Sequence, residues 1–257
     1  MILSIQSGVV FGAVGNTAAQ SVYSALNVPA GYVFTGLFSS PLDVPKANGK
    51  LVAAADLESV FSGILSNPDL KNVTHIISGF LGSSVTTQLL SEFLLEVRKK
   101  QSVEYLCDPV MGDFGVGYYV DKSVREAYEK FLIPMADYII PNAFEAIELG
   151  YLDEKCDVNA MDLEEALCIV KGIPYSEQKL KVALIGSSSD LKFLETRRFQ
   201  GRFRGAGDFF SALFLAGLVS GKNAEDAASF AISGMEEIIT HAYHSQNENL
   251  TYPIKEH

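Results

Sequence analysis

Three groups of residues in this chain have the types and spacing for chemistry. The run Arg204-Gly205-Ala206-Gly207-Asp208-Phe209-Phe210 is a glycine-rich turn that opens into a segment with Phe210, Leu213, Phe214 and Leu218 at helical spacing. A turn at a helix start presents N–H groups without intrahelical partners at the positive end of the peptide dipoles, so it can cradle a phosphate. Asp208 would repel that phosphate unless it serves as a base or works beside a cation; read alone, it is simply a helix cap. Asp108 and Asp113 follow an apolar run, as oxygen ligands for a magnesium ion that keeps its waters or as two turn-forming aspartates, one fixed by Pro109. Asn142 and Glu145 have the spacing of a helix capping box, which accounts for them without any ligand.

The elements that must position these residues alternate along the chain. Strands are expected at 2–6, 31–35, 74–78, 103–107, 137–140 and 181–185, and helices at 17–26, 56–65, 85–99, 122–131, 163–171, 207–220 and 224–243. Asn16 is expected to cap the first helix. Residues 37–50 read as a loop, 191–204 as two short strands and 246–257 as a frayed tail. Each candidate group follows an expected strand, and ligands of parallel α/β sheets bind at the carboxyl ends of strands. The glycines of Ser7-Gly8-Val9-Val10-Phe11-Gly12-Ala13-Val14-Gly15 mark either a further such loop or a tight strand-to-helix turn.

Composition narrows the function classes. The 257 residues are 48% hydrophobic, ample for the core of a single domain over 1–257. A net charge of −11 provides no basic footprint for nucleic acid or an anionic membrane surface, and no apolar run reaches about 18 residues. A cytoplasmic protein is expected. Its three cysteines, Cys107, Cys156 and Cys168, have neither disulfide nor zinc spacing. Arg197, Arg198, Arg202 and Arg204 form a basic cluster, either solvated strand faces or an attractor of phosphate ahead of the glycine turn.

Taken in order, Ser4-Ile5-Gln6-Ser7 with Gly12 and Gly15-Asn16, Ser78-Gly79-Phe80-Leu81-Gly82, Asp108-Pro109-Val110-Met111-Gly112-Asp113, Pro141-Asn142-Ala143-Phe144-Glu145 and Gly205-Ala206-Gly207-Asp208 resemble the pyridoxal kinases of the ribokinase-like superfamily. The resemblance implies a three-layer α/β/α sandwich with a mainly parallel central sheet, and ATP-dependent phosphorylation of the 5′-hydroxyl of a B6 vitamer. It implies Asp208 as the base, with Gly205, Ala206 and Gly207 steadying the moving phosphoryl group. Asp108, Asp113 and Glu145 would hold Mg2+ and its waters, Asn142 and Ser187 would lie at the nucleotide, and K+ is a candidate further ion. Ser7 would bond the pyridine ring between the apolar walls Val14, Phe38 and Phe80. A homodimer is implied as well.

Departures from the family pattern fall on the specificity contacts. Leu37-Phe38-Ser39-Ser40-Pro41-Leu42 lacks the family's polar His and Thr, and Phe80 stands where a Tyr is usual. Ile140 and Gly186 replace threonines on the nucleotide side, and the segment from Ser189 to Gly205 is short. Two other readings stand beside the vitamer kinase: a kinase for another hydroxymethyl substrate such as hydroxymethylpyrimidine, and a weakly active or non-catalytic vitamer binder.

Overall fold

The computed structural model describes residues 1–159, 166–186, 191–244 and 250. Its centre is a nine-stranded sheet built from β1 (Ile2–Val9), β2 (Ala30–Phe38), β3 (Gly49–Leu51), β4 (His75–Ser78), β5 (Glu104–Cys107), β8 (Tyr138–Ile139), β9 (Leu167–Pro174), β10 (Lys179–Ile185) and β11 (Leu191–Arg197), with β6 (Gly112–Asp113) and β7 (Gly117–Tyr118) forming a separate two-stranded ribbon. The sheet order is β11-β10-β9-β8-β5-β4-β1-β2-β3. From β2 to β9 neighbours are parallel; β3 at one edge and β10 and β11 at the other run antiparallel. Seven of the eight residues of β1 are buried, as a strand covered on both faces requires.

Helices α1 (Asn16–Ala25), α6 (Ala206–Val219) and α7 (Ala224–His244) cover one face, packing Val22, Phe209, Phe214 and Ala227 on Ile2, Ile77 and Leu106. Helices α2 (Ala54–Ser66), α3 (Ser84–Lys100), α4 (Lys122–Ala127) and α5 (Ala143–Glu148) cover the other with Leu57, Phe61, Leu90, Phe93, Val124 and Ala146. The three-layer α/β/α sandwich is therefore observed. No described helix is long and apolar enough to cross a membrane.

Four expectations are corrected. The segment 163–171 is not a helix where it is described: Leu167–Pro174 is β9, the last parallel strand. Residues 191–204 hold one strand, β11, followed by an irregular segment. Asn16 is not a cap but the first residue of α1, with Gly15 before it. Its buried side chain accepts from Ser4 Oγ (2.7 Å) and donates to the carbonyls of Gln6 (3.0 Å) and Val33 (2.9 Å), bracing β1 and β2 where their register shifts at Ser7. Of the supposed tail only Leu250 is described, and it is fully buried in the α6–α7 core.

Candidate active site

The carboxyl ends of the parallel strands open into a cleft of about 610 Å³. Ser7 from the end of β1, Phe38 from β2, Phe80 after β4, Asp108 after β5, Asn142 after β8 and Lys171 from β9 all line it, with Gly205 to Asp208 across from them. Two glycines make the close approach possible. Gly205 has φ 82°, and a Cβ there would lie 1.9 Å from the Ala13 carbonyl oxygen; at Gly15, with φ 53°, a Cβ would lie 2.3 Å from the Ser7 carbonyl oxygen. The two loops thus interlock by backbone, a fit closed to any side chain. At the start of α6 the Ala206 N–H donates to the Phe203 carbonyl (3.2 Å) and the Asp208 N–H to its own carboxylate, which leaves the Gly207 N–H of the first turn for an anion in the cleft.

Asp208 sits in that first turn, partly exposed, accepting a hydrogen bond from the Gly15 N–H. Burial first, then the Asp108 charge, pushes its carboxyl up to about 6, against the lowering influence of Lys171. Asp108 itself is 2% exposed. Its Oδ2 accepts from Lys171 Nζ (2.6 Å) and Ser211 Oγ (2.6 Å), whereas its Oδ1 is buried without a hydrogen-bond partner. Lys171 Nζ also reaches Ser211 Oγ (3.1 Å) and the Gly207 carbonyl (3.4 Å).

Glu145 is a different kind of carboxylate. Its Oε1 accepts from the Met111 and Gly112 N–H groups (2.9 and 3.4 Å), and its Oε2 from the Asn142 N–H (2.8 Å). Asn142 returns the bond to the Glu145 N–H (2.9 Å), completing the capping box of α5, and donates to the Gly112 carbonyl (2.8 Å). Burial and the Asp108 charge raise the Glu145 carboxyl. Both oxygens accept from backbone N–H groups, so Glu145 holds the 111–112 turn. Asp113, exposed at the rim on β6, lines the cleft without joining a cage: no group of three or more described His, Cys, Asp or Glu residues is arranged to hold a metal. The donor set fits an ion that arrives on a nucleotide with its own waters, with the unpartnered Asp108 Oδ1 as the available protein oxygen.

On the substrate side, Phe38 and Phe80 meet edge to face with centroids 6.2 Å apart, beside Val14, Pro41 and Leu42. Asp43 bridges this loop to the arginine-rich segment after β11, accepting from Arg204 Nε (2.6 Å) and pairing with Arg202 (3.0 Å).

The family model described as phosphomethylpyrimidine kinase matches residues 49–253, well over half of the chain. The chain belongs to the phosphomethylpyrimidine kinase family. Among its curated relatives, the pyridoxal kinase of Arabidopsis thaliana is 29% identical, covering 93% of this chain and 81% of the relative. The pyridoxal kinase of Rubrobacter xylanophilus is 28% identical, covering 93% and 86%. The fold matches that of pyridoxal kinase from Leishmania donovani, solved with ADP and pyridoxamine, at a TM-score of 0.84 and 24% identity over 95% of this chain and 87% of that one.

Within this family frame, the nucleotide side needs correcting. Ser187 lies outside the described residues, and the strand before it is antiparallel: Ile185 pairs with Cys168 at the amino end of β9, away from the cleft. Gly186 is therefore no counterpart of a nucleotide-facing threonine, and Ile140 is fully buried in the core. The strand that does deliver a side chain here is β9, with Lys171. Reading 163–171 as a helix hid it, although one charge at the end of the apolar run Cys168-Ile169-Val170 was a signal for a strand end. Ser211 and the Asp43 bridge were also missed, since both depend on contacts between segments far apart in sequence.

Proposed function

We propose that this protein transfers the γ-phosphoryl group of ATP to the 5′-hydroxyl of a B6 vitamer. The observation that carries the reading is Asp208: a carboxylate raised to about 6 in the uncapped first turn of a helix, facing the cleft shared with Ser7 and Asp108. The family's description as a kinase and the pyridoxal kinase names of its relatives support the reaction class.

In this reading Asp208 takes the proton of the substrate hydroxyl as its oxygen bonds to the γ-phosphorus, while the bond to the β-phosphate oxygen breaks and ADP leaves. The Gly207 N–H steadies the charge on the moving group. Ser7, Val14, Phe38 and Phe80 hold the pyridine ring. Asp108, with Asp113 at the rim, receives the magnesium that comes with the nucleotide, which when bound neutralises phosphate charge. Asn142 and Glu145 fix the turn that carries Asp113. A cytoplasmic homodimer belongs to the same reading, and the exposed Val10, Phe11 and Leu37 would supply its apolar contact.

A kinase for hydroxymethylpyrimidine is the second reading, favoured by the matching family description and by the apolar Pro41, Leu42 and Phe80 where hydroxyl and imidazole partners are absent. A coupled ADP-release assay with magnesium and ATP across pyridoxal, pyridoxine, pyridoxamine and hydroxymethylpyrimidine separates the two. Turnover confined to the pyrimidine, or absent for all four, would overturn the vitamer assignment.

A further inference from the structure

We propose that Glu236 selects the nucleobase of the phosphoryl donor, its carboxylate accepting a hydrogen bond from the exocyclic amine of adenine. The proposal rests on the kinase reading above. It starts from a part of the cleft that the phosphoryl-transfer residues do not use, the slot between the β9–β10–β11 edge of the sheet and α7. Leu180 and Val182, two apart on β10 and so on one face of the sheet, line the slot from one side. Ile232, Met235 and Ile239 line it from α7 at helical spacing. Apolar walls on two sides suit a flat aromatic ring and not a polyphosphate, whose charges they would strip of water.

Glu236 shares that helix face and brings a carboxylate to the slot. Its Oε1 accepts from the Thr196 hydroxyl (2.8 Å) and the Arg197 N–H (3.0 Å), which fix the side chain against the cleft end of β11. Both donors fall on that one oxygen, and Oε2 has no hydrogen-bond partner among the described residues. Strands of a sheet lie about 4.8 Å apart, so β11, two places beyond β9, is about 10 Å from the strand whose Lys171 packs against Gly207. A ribose with its first phosphates spans such a gap. A nucleotide held by its phosphates at Gly207 therefore carries its base to Glu236. A carboxylate oxygen accepts and cannot donate. The 6-amino group of adenine satisfies it, whereas the 6-carbonyl of hypoxanthine sets oxygen against oxygen and leaves it unpaired.

The test measures the affinity of the protein for ADP, IDP and purine riboside 5′-diphosphate by calorimetry in the presence of magnesium. IDP has a carbonyl in place of the amine, and purine riboside has only hydrogen there. Wild type should bind ADP about 10- to 100-fold more tightly than either, the range of one hydrogen bond to a charged group. Glu236→Gln keeps an oxygen for Thr196 and Arg197 and turns an NH2 group toward the base. It should weaken ADP and tighten IDP, so that the preference for ADP is lost or reversed at a melting temperature close to wild type. Equal wild-type affinity for the three nucleotides overturns the proposal, and that arm needs no variant to fold. A Glu236→Gln protein that loses ADP and IDP affinity in equal proportion overturns it too, leaving Glu236 an anchor of β11 alone, and so does one that keeps the wild-type preference. The kinase reading fails separately: a protein with the expected base preference that phosphorylates no tested hydroxymethyl compound loses its substrate assignment while Glu236 keeps its role. Absence of binding for all three nucleotides overturns both.

Discussion

Replacing Asp208 with Asn keeps a side chain of the same shape in the first turn of α6 but removes the proton acceptor. General-base catalysis contributes about 10²–10⁴-fold, so kcat for the preferred substrate should fall within that range while ADP affinity holds. Stability should move the other way. A carboxyl raised from 3.8 to about 6 contributes stability that is present below its unfolded value and lost as the pH rises through about 6. Asp208→Asn should therefore melt at or above wild type at pH 7, with the difference closing near pH 4; calorimetry at the two pH values checks it. The same ionisation should bend kcat/KM downward below about pH 6, and an acidic limb that persists in Asp208→Asn would assign it to another group. At this scale the sequence named the cleft residues but not what each one touches. Asn142 and Glu145 form the capping box their spacing announced, but the box engages only Oε2 of Glu145, and the bonds from Met111 and Gly112 to Oε1 come from a distant turn. Asn16, by contrast, spends its amide on two strands and a serine, partners that no local pattern reveals.

Among the elements, the start of α6 is the most constrained. Gly205→Ala would set a Cβ against the Ala13 carbonyl at a left-handed φ, where neither backbone can yield cheaply. A loss of about 1–3 kcal/mol is expected, with ADP affinity falling alongside, read as a lower melting temperature and a weaker calorimetric signal. Full ADP affinity in a folded Gly205→Ala protein would show that the turn does not touch the nucleotide. The parallel part of the sheet was legible because short apolar strands alternate with helices, as in Ile2–Val9 and the helix after it. The β9–β10–β11 side was not. A short apolar run fits a strand or a buried helix equally well, and the antiparallel return of β10 follows from its pairing with β9, which sequence periodicity does not encode.

For the whole molecule, the two features that most affect function or stability join segments distant in sequence. Asp43 ties the substrate loop to Arg202 and Arg204, more than 150 positions away. Asp43→Asn should raise the KM for the substrate several-fold and also lower the melting temperature, because the Asp43 side chain is only 12% exposed and its loss of charge leaves the half-buried Arg204 without its carboxylate. A KM equal to wild type would show that the bridge does not shape the pocket. Leu250 closes the core beneath α6 and α7, so Leu250→Ala should destabilise the fold by about 2–5 kcal/mol, measured by denaturant unfolding; a neutral result would mean that the segment packs only loosely. The apolar content foretold a large core, but not that a residue so near the end of the chain would belong to it.

The reversal of strand direction at β10 also decides where the chain can tolerate change. Ile185 and Leu191 face each other at the end of the sheet opposite the cleft. The turn from Pro174 to Lys179 and the exit of β11 at Arg197 face the cleft instead. A flexible insert of about ten residues between Gly186 and Leu191 adds little closure entropy and leaves every cleft residue in place. The same insert after Arg198 would separate the arginines from Asp43. A label carried at that end of the sheet should therefore leave turnover unaltered.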